Sequence, residues 1–174
     1  TPALINLKKT LLRKQIRNYR QSLITEFITA NGKIVGEKLL SNGHLDHAKT
    51  VLVYVSKPQE VQTHHLIKQL LNQGRTVAVP KVTGHQQMEA VVIKDFDQLK
   101  PGYFDVLEPE DGEVINQAVD LNIMPAVAVD QEGRRLGMGK GFYDYFIRKH
   151  QPRRNLALVF DKQIRKKIPV REFD

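Results

Sequence analysis

The sequence predicts an α/β protein: a mostly parallel, Rossmann-like open sheet flanked by helices, built as one domain over residues 1–174. Three observations predict it. Strand-like and helix-like segments alternate along the chain, a pattern that folds into a parallel sheet with crossover helices. The first strand-like run, Thr50 to Val55, is short and β-branched, as a buried strand is. At 174 residues the chain is long enough for a single well-buried core.

Each element has its own signal. Leu7, Leu11, Ile16, Tyr19 and Leu23 recur at helical spacing behind Asn6, a capping residue, so 6–23 reads as an amphipathic helix. A weaker helix runs over 25–40, interrupted by Gly32 and Gly36. After the strand 50–55, Thr63 caps a helix carrying Leu66, Ile67, Leu70 and Leu71 that ends at Gly74. Strand 76–79 is stopped by Pro80, and 88–93 makes a third strand. Residues 94–118 are rich in turn formers. Runs 121–124 and 126–129 are strand-like around Pro125, 142–150 is a helix, and 156–160 is a last strand. Ligands of such sheets bind at the carboxyl ends of strands, an edge shared by the loops after Val55, Val79 and Val129.

Composition narrows the function classes. The 41% hydrophobic and 26% charged content is that of a soluble globular chain. No apolar run approaches the roughly 20 residues of a membrane span. Nor does the cationic, amphipathic N-terminal segment resemble a signal peptide. Without cysteine there are no disulfides, thiolate metal sites or cysteine nucleophiles, and the default location is cytoplasmic. A net charge of +8 favours an acidic partner: nucleic acid, a membrane surface or a polyanionic small molecule.

The segment Gly133-Arg-Arg-Leu-Gly-Met-Gly-Lys-Gly-Phe-Tyr-Asp144 carries the most chemistry. Four glycines lie within nine residues, between a strand and a helix, with Arg134, Arg135 and Lys140 among them. Glycines let backbone N–H groups approach an anion, and a helix start adds oriented donors. The segment reads as a phosphate cradle. It is not a P-loop, because Gly141 follows Lys140 where Ser or Thr is required and Arg134 stands in place of the first glycine. The dinucleotide fingerprint G-x-G-x-x-G fails on spacing as well.

With its neighbours, this segment closely resembles the signature of the 5-formyltetrahydrofolate cyclo-ligase (methenyltetrahydrofolate synthetase) family. The match runs from Val127-Ala128-Val129-Asp130 through Gly133 to Arg135-Leu136-Gly137-Met138-Gly139-Lys140-Gly141-Phe142-Tyr143-Asp144. Lys9-Thr10-Leu11-Leu12-Arg13 resembles the family's basic N-terminal helix motif. Tyr54 through Glu60-Val61-Gln62-Thr63 resembles its strand-loop-helix substrate segment, and Phe104 with Glu108-Pro109 its aromatic and Glu-Pro element. The resemblance implies ATP- and magnesium-dependent closure of 5-formyltetrahydrofolate to 5,10-methenyltetrahydrofolate; the chain is expected to act as a monomer, without nucleic acid or membrane. Two departures stand out. Phe142 replaces a common tyrosine, and relatives run on past Asp174, so a C-terminal piece is expected to be missing.

The resemblance also implies roles. The triphosphate falls to Lys9, Arg13, Arg135, Leu136, Gly137, Met138, Gly139, Lys140, Gly141, Phe142 and Tyr143, with Lys140 and Arg135 catalytic. Asp144 and Asp174 are the implied magnesium ligands. Glu60 would accept hydrogen bonds from the pterin's amide and amine edge, between walls of Val55, Phe104 and Tyr143. Taken alone, the six cations between Lys8 and Arg20 read as a solvated helix face, and Glu60 as a solvated carboxylate before a helix. A basic nucleic-acid-binding module is the alternative from another class, although no RRM, KH or aromatic-basic platform is present. Another phosphate-handling α/β enzyme, a sugar-phosphate isomerase or CoA transferase, would not need the Arg135-to-Asp144 motif.

Overall fold

A computed structural model describes residues 1–171; Glu172, Phe173 and Asp174 lie outside the described residues, and with Asp174 the second implied magnesium ligand. In chain order the elements are α1 (Pro2–Gln21), α2 (Thr25–Ser41), β1 (Thr50–Val53), α3 (His64–Asn72), β2 (Thr76–Gly84) and β3 (Gln87–Ile93). A hairpin of β4 (Leu99–Pro101) and β5 (Leu107–Pro109) follows. Then come β6 (Leu121–Pro125), β7 (Ala128–Asp130), β8 (Arg135–Leu136), α4 (Phe142–His150), β9 (Arg154–Leu158) and β10 (Ile164–Arg165). No helix among the described residues is long and apolar enough to cross a membrane.

The main sheet has the order β3-β2-β1-β6-β9. β1 is parallel to β2 and β6, β6 is parallel to β9, and only β3 is antiparallel. The expected mostly parallel open sheet is therefore observed. Alternation along β1 divides the core: Val51 and Val53 face α2 and α3 with Ile28, Leu66, Ile67 and Leu70, whereas Leu52 faces Phe146 of α4. Because the chain leaves β1 for β2 on one side and β6 lies on the other, a topological switch point falls at their carboxyl ends, the place where ligands of such sheets bind. The loops after β1 and β6 line it.

Several local expectations change. α1 starts at Pro2, whose missing N–H suits a first turn, and the Thr1 hydroxyl accepts from Leu4 N–H at 3.3 Å. Asn6 is thus inside the helix, where its side chain accepts from Arg171. Of the apolar stripe only Ile16 is fully buried, and Leu7 and Leu11 are more than half exposed. α2 continues through Gly32 and Gly36 without interruption, and Gly32 serves a close contact: a Cβ there would sit 2.7 Å from Gln62 Cβ.

Pro80 does not stop β2. It pairs with Ala90, whose carbonyl turns away to accept from Ile115 N–H at 2.9 Å, so β3 asks for no donor at Pro80. Pairing with β1 has already ended at Ala78. Thr63 precedes α3 without a side-chain cap, because its hydroxyl donates to Tyr54 O at 2.7 Å. The run after Pro125 leaves the main sheet and forms a second one, β10-β7-β8, which carries the start of the glycine segment.

Candidate functional site

The glycine segment begins with a turn organised by Asp130. Its buried carboxylate accepts from Glu132 and Arg134 N–H, both at 3.0 Å, and from Ile168 N–H at 3.1 Å. Gly133, at φ +80°, closes the turn. β8 returns along β7, and the Leu136 side chain is buried with Ile16, Val127, Ala128 and Ile168. Leu136 is thus an anchor of the segment, tied to α1 through Ile16.

From Gly137 onward the backbone is exposed and reversed. Gly139 and Gly141 have φ of +90° and +77°, the left-handed region that glycine enters without steric cost. Gly141 begins α4 without a side-chain cap, leaving the first-turn N–H groups of that helix open to an outside acceptor. Met138 and Lys140 are exposed on the loop, and Phe142, Tyr143 and Asp144 form the first helical turn. The tip of the β2–β3 hairpin reaches this point, for a Cβ on Gly141 would meet the Gln86 carboxamide at 3.4 Å.

Tertiary packing selects which cations belong to this cradle. Arg13 arrives from α1, with Nε donating to Gly137 O at 2.9 Å and the guanidinium lying against Gly139. Lys9, half-buried, is one turn earlier on the same face. Arg135 folds back with Nε donating to Pro125 O at 2.8 Å and Cζ 5.1 Å from the Tyr143 ring centroid. Arg134 turns away and pairs with Asp130 and Glu132. It leaves the trio of loop cations counted from the sequence.

The facing side comes from the loop after β1. Tyr54 donates its hydroxyl to Val61 O at 2.6 Å, and Ser56 and Thr63 exchange hydrogen bonds of 3.0 and 3.1 Å, so the loop is closed on itself. Val55 is buried in the main core, so its side chain supports the crevice floor. Glu60 accepts from Lys57 N–H at 2.8 Å. Burial pushes the Glu60 carboxyl above the ordinary carboxylate range; the Lys57 N–H and the cations of Arg20, Lys57 and Arg135 pull it part of the way back. Burial also raises the Tyr143 phenol strongly, against the pull of Arg135.

Phe104 enters from a turn between β4 and β5. It is 56% exposed and left-handed at φ 53°, with its ring edge-on to Tyr103 at 4.4 Å. Tyr103 in turn meets Phe142 at 5.8 Å. The hairpin is tied down by Glu108, which accepts from Val82 N–H at 3.2 Å and packs where a Cβ on Gly102 would clash. The Glu-Pro element is therefore a fastening that presents Phe104. Phe104 joins the two sides, with Lys57 and Lys140 ammonium groups at 5.7 and 5.4 Å from its centroid.

Asp144 is exposed in the first turn of α4, next to the cradle, and in no ion pair among the described residues. No group of three metal-ligating side chains occurs among those residues. Magnesium fits such a setting, since it keeps phosphate and water ligands and needs only one or two carboxylates. Sequence reasoning assigned no role to Asp130, Arg20, Gln86 or Tyr103. Asp130 alone had a local signal, an Asx turn before glycine; the others matter through contacts with distant segments.

The similarities to known proteins agree with this geometry. A family model described as the 5-formyltetrahydrofolate cyclo-ligase family matches residues 5–174. The 5-formyltetrahydrofolate cyclo-ligase of Escherichia coli (strain K12) is 30% identical over 173 residues, spanning 91% of this chain and 91% of that protein. The enzyme of that name from Mus musculus is 27% identical over 184 residues, spanning 98% and 91%. The NMR structure of Aquifex aeolicus 5,10-methenyltetrahydrofolate synthetase superposes with a TM-score of 0.85 at 29% identity, covering 95% of this chain and 84% of that one. A 5,10-methenyltetrahydrofolate synthetase from Mycoplasma pneumoniae, at 20% identity and a TM-score of 0.71, shares the fold over 90% and 88%. On the family match across nearly its whole length, the chain belongs to the 5-formyltetrahydrofolate cyclo-ligase family.

Proposed function

We propose that this chain closes 5-formyltetrahydrofolate to 5,10-methenyltetrahydrofolate with ATP and magnesium, releasing ADP and phosphate. The observation that carries the reading is one crevice with two chemically distinct walls. A glycine-rich cationic cradle faces a loop carrying a half-buried carboxylate, and Arg135 acts on both, bordering Gly137 while its charge reaches Glu60.

A formamide is a poor electrophile because its nitrogen donates into the carbonyl. In the proposed first step the formyl oxygen forms a bond to the γ-phosphorus. The bond from that phosphorus to the β,γ-bridging oxygen breaks, its electron pair leaving with ADP. The neighbouring amine then attacks the activated carbon, the C–O bond breaks toward phosphate, and the amine proton passes to solvent. Lys140, Arg135, Arg13, Lys9 and the N–H groups of residues 137–143 would neutralise and orient the triphosphate. Met138 and Phe142 would border it, and Glu60, Phe104 and Tyr143 would hold the pterin over Val55. Magnesium, held by Asp144 with Asp174, would supply charge neutralisation across the phosphates. An absorbance assay for methenyltetrahydrofolate with and without ATP and magnesium tests the reading, and folded protein giving no ATP-dependent product would overturn it.

Two expected results arise from the carboxylate loop. Glu60→Gln is expected to lower kcat/KM for the folate about 10- to 100-fold, the loss of one charge-assisted hydrogen bond, while the protein melts at a higher temperature near pH 7. The sign follows from the raised carboxyl: its stabilising contribution is complete below the unfolded-state pKa and is lost as pH rises through the folded one. The gain in melting temperature should therefore vanish as pH falls toward the ordinary carboxylate range. Calorimetry across pH, with kinetics on the same protein, checks both parts.

Gly32→Ala should act on the same loop from behind. Alanine favours a helix over glycine by about 1 kcal/mol, but here its Cβ would meet Gln62 Cβ at 2.7 Å. Gln62 fastens the loop by donating to Lys57 O and Glu60 O at 2.8 and 2.9 Å. Overpacking of this kind costs about 1–3 kcal/mol, enough to outweigh the helix gain. The expected outcome is a less stable protein with a raised KM for the folate and an unchanged KM for ATP, measured by steady-state kinetics with each substrate varied in turn.

A further inference from the structure

Lys57 and Lys140 come from loops at the ends of different strands, yet both place their ammonium groups within 6 Å of the centroid of one ring, Phe104. Both are exposed, and neither has a carboxylate within 4.0 Å among the described residues. Attraction of an exposed ammonium to an aromatic ring amounts to about 0.5–1 kcal/mol, so neither lysine is held firmly by the ring. Two cations gathered around one ring make a positive potential that favours an anion beside it.

The ring is held there at a cost. Phe104 and Asp105 are consecutive non-glycine residues in the left-handed region, at φ 53° and 57°, each of which costs about 1–2 kcal/mol. Strain of this kind persists where the surroundings enforce it, here Tyr103 packed between Phe104 and Phe142. Lys57 is also anchored, because its backbone N–H is bound by Glu60. Its backbone thus belongs to the carboxylate loop, and its side chain reaches Phe104, the ring that Lys140 of the glycine segment also approaches.

We propose that Lys57 is a further catalytic residue, a second cation on the transferring phosphoryl group alongside Lys140. The proposal rests on the ATP-dependent reading above. While the bond to ADP breaks and the bond to the formyl oxygen forms, the Lys57 ammonium donates a hydrogen bond to a non-bridging oxygen of that phosphoryl group. Its proton stays on nitrogen. Charge spread over those oxygens in the transition state is what a fixed cation stabilises.

The test compares wild type, Lys57→Met and Lys57→Arg in the absorbance assay, with melting curves to confirm folding. A second arm uses 5-formyltetrahydropteroate, which keeps the attacking aryl amine and lacks the glutamyl tail. Lys57→Met should lower kcat about 10- to 100-fold on both substrates, less than a fully buried preorganised donor would because the site is open. The KM for the folate should change less than twofold, and Lys57→Arg should recover most of the rate. Full turnover by Lys57→Met overturns the proposal. So does a loss confined to the tail-bearing substrate, which would assign the lysine to a carboxylate. A wild type without ATP-dependent product overturns the reading beneath it as well, whereas an active wild type with an indifferent Lys57 overturns this inference alone.

Discussion

Lys140→Ala is expected to lower kcat about 10²–10³-fold, the effect of deleting one preorganised donor from a developing oxyanion, while the protein stays as stable as before. The lysine is exposed on the loop and in no ion pair among the described residues, so its removal leaves no buried partner stranded. Its contact with the Phe104 ring contributes only about 0.5–1 kcal/mol. Surface changes of this type usually shift stability by only about 0.5 kcal/mol, so any loss here stays small. Single-turnover formation of methenyltetrahydrofolate at saturating ATP isolates the chemical step. Full turnover by this variant would remove Lys140 from the mechanism.

Arg135→Ala should do more damage, because the guanidinium serves both walls. Its loss strands the Pro125 carbonyl, which now accepts at 2.8 Å, at a cost of about 1–3 kcal/mol. It also removes the plane that stacks over Tyr143 and a cation that holds the Glu60 carboxyl down. The expected outcome is a fall in kcat/KM of about 10³-fold, combining lost phosphate neutralisation with lost folate binding. If Glu60 binds as a carboxylate, the active form exists above its folded-state pKa and is lost as pH falls through it. Removing Arg135 raises that pKa further, so the acid limb of kcat/KM for the folate moves to higher pH. The Arg135→Lys variant should not recover the rate, since an ammonium has neither the flat face nor the fork. An unmoved acid limb would sever the proposed link between the two residues.

Much of this architecture is legible along the chain, and the failures come from contacts with distant segments. The alternation of strands and helices is a short-range pattern, and it led to the right sheet. Pro80 misled because its missing N–H matters only if a neighbouring strand needs that donor, and β3 directs Ala90 elsewhere. Gly32 and Gly36 looked like breaks, yet α2 runs through both, and at Gly32 it meets Gln62 closely. Arg134 and Arg135 are adjacent and chemically alike, but alternation along the segment sends one to Asp130 and the other toward Tyr143. Nothing in their order distinguishes them.

The sequence alone determined that a glycine-rich, turn-prone backbone leads into the helix at Phe142, because glycine freedom and helix starts are local properties. Tertiary structure decided the rest of the site. It brought Arg13 to Gly137 across 124 residues, set Lys57 and Lys140 near one ring, and half-buried Glu60 near Arg20 and Arg135. Charge, desolvation and pKa depend on what surrounds a group in space, and those surroundings exist only once the sheet has gathered the loops at one edge.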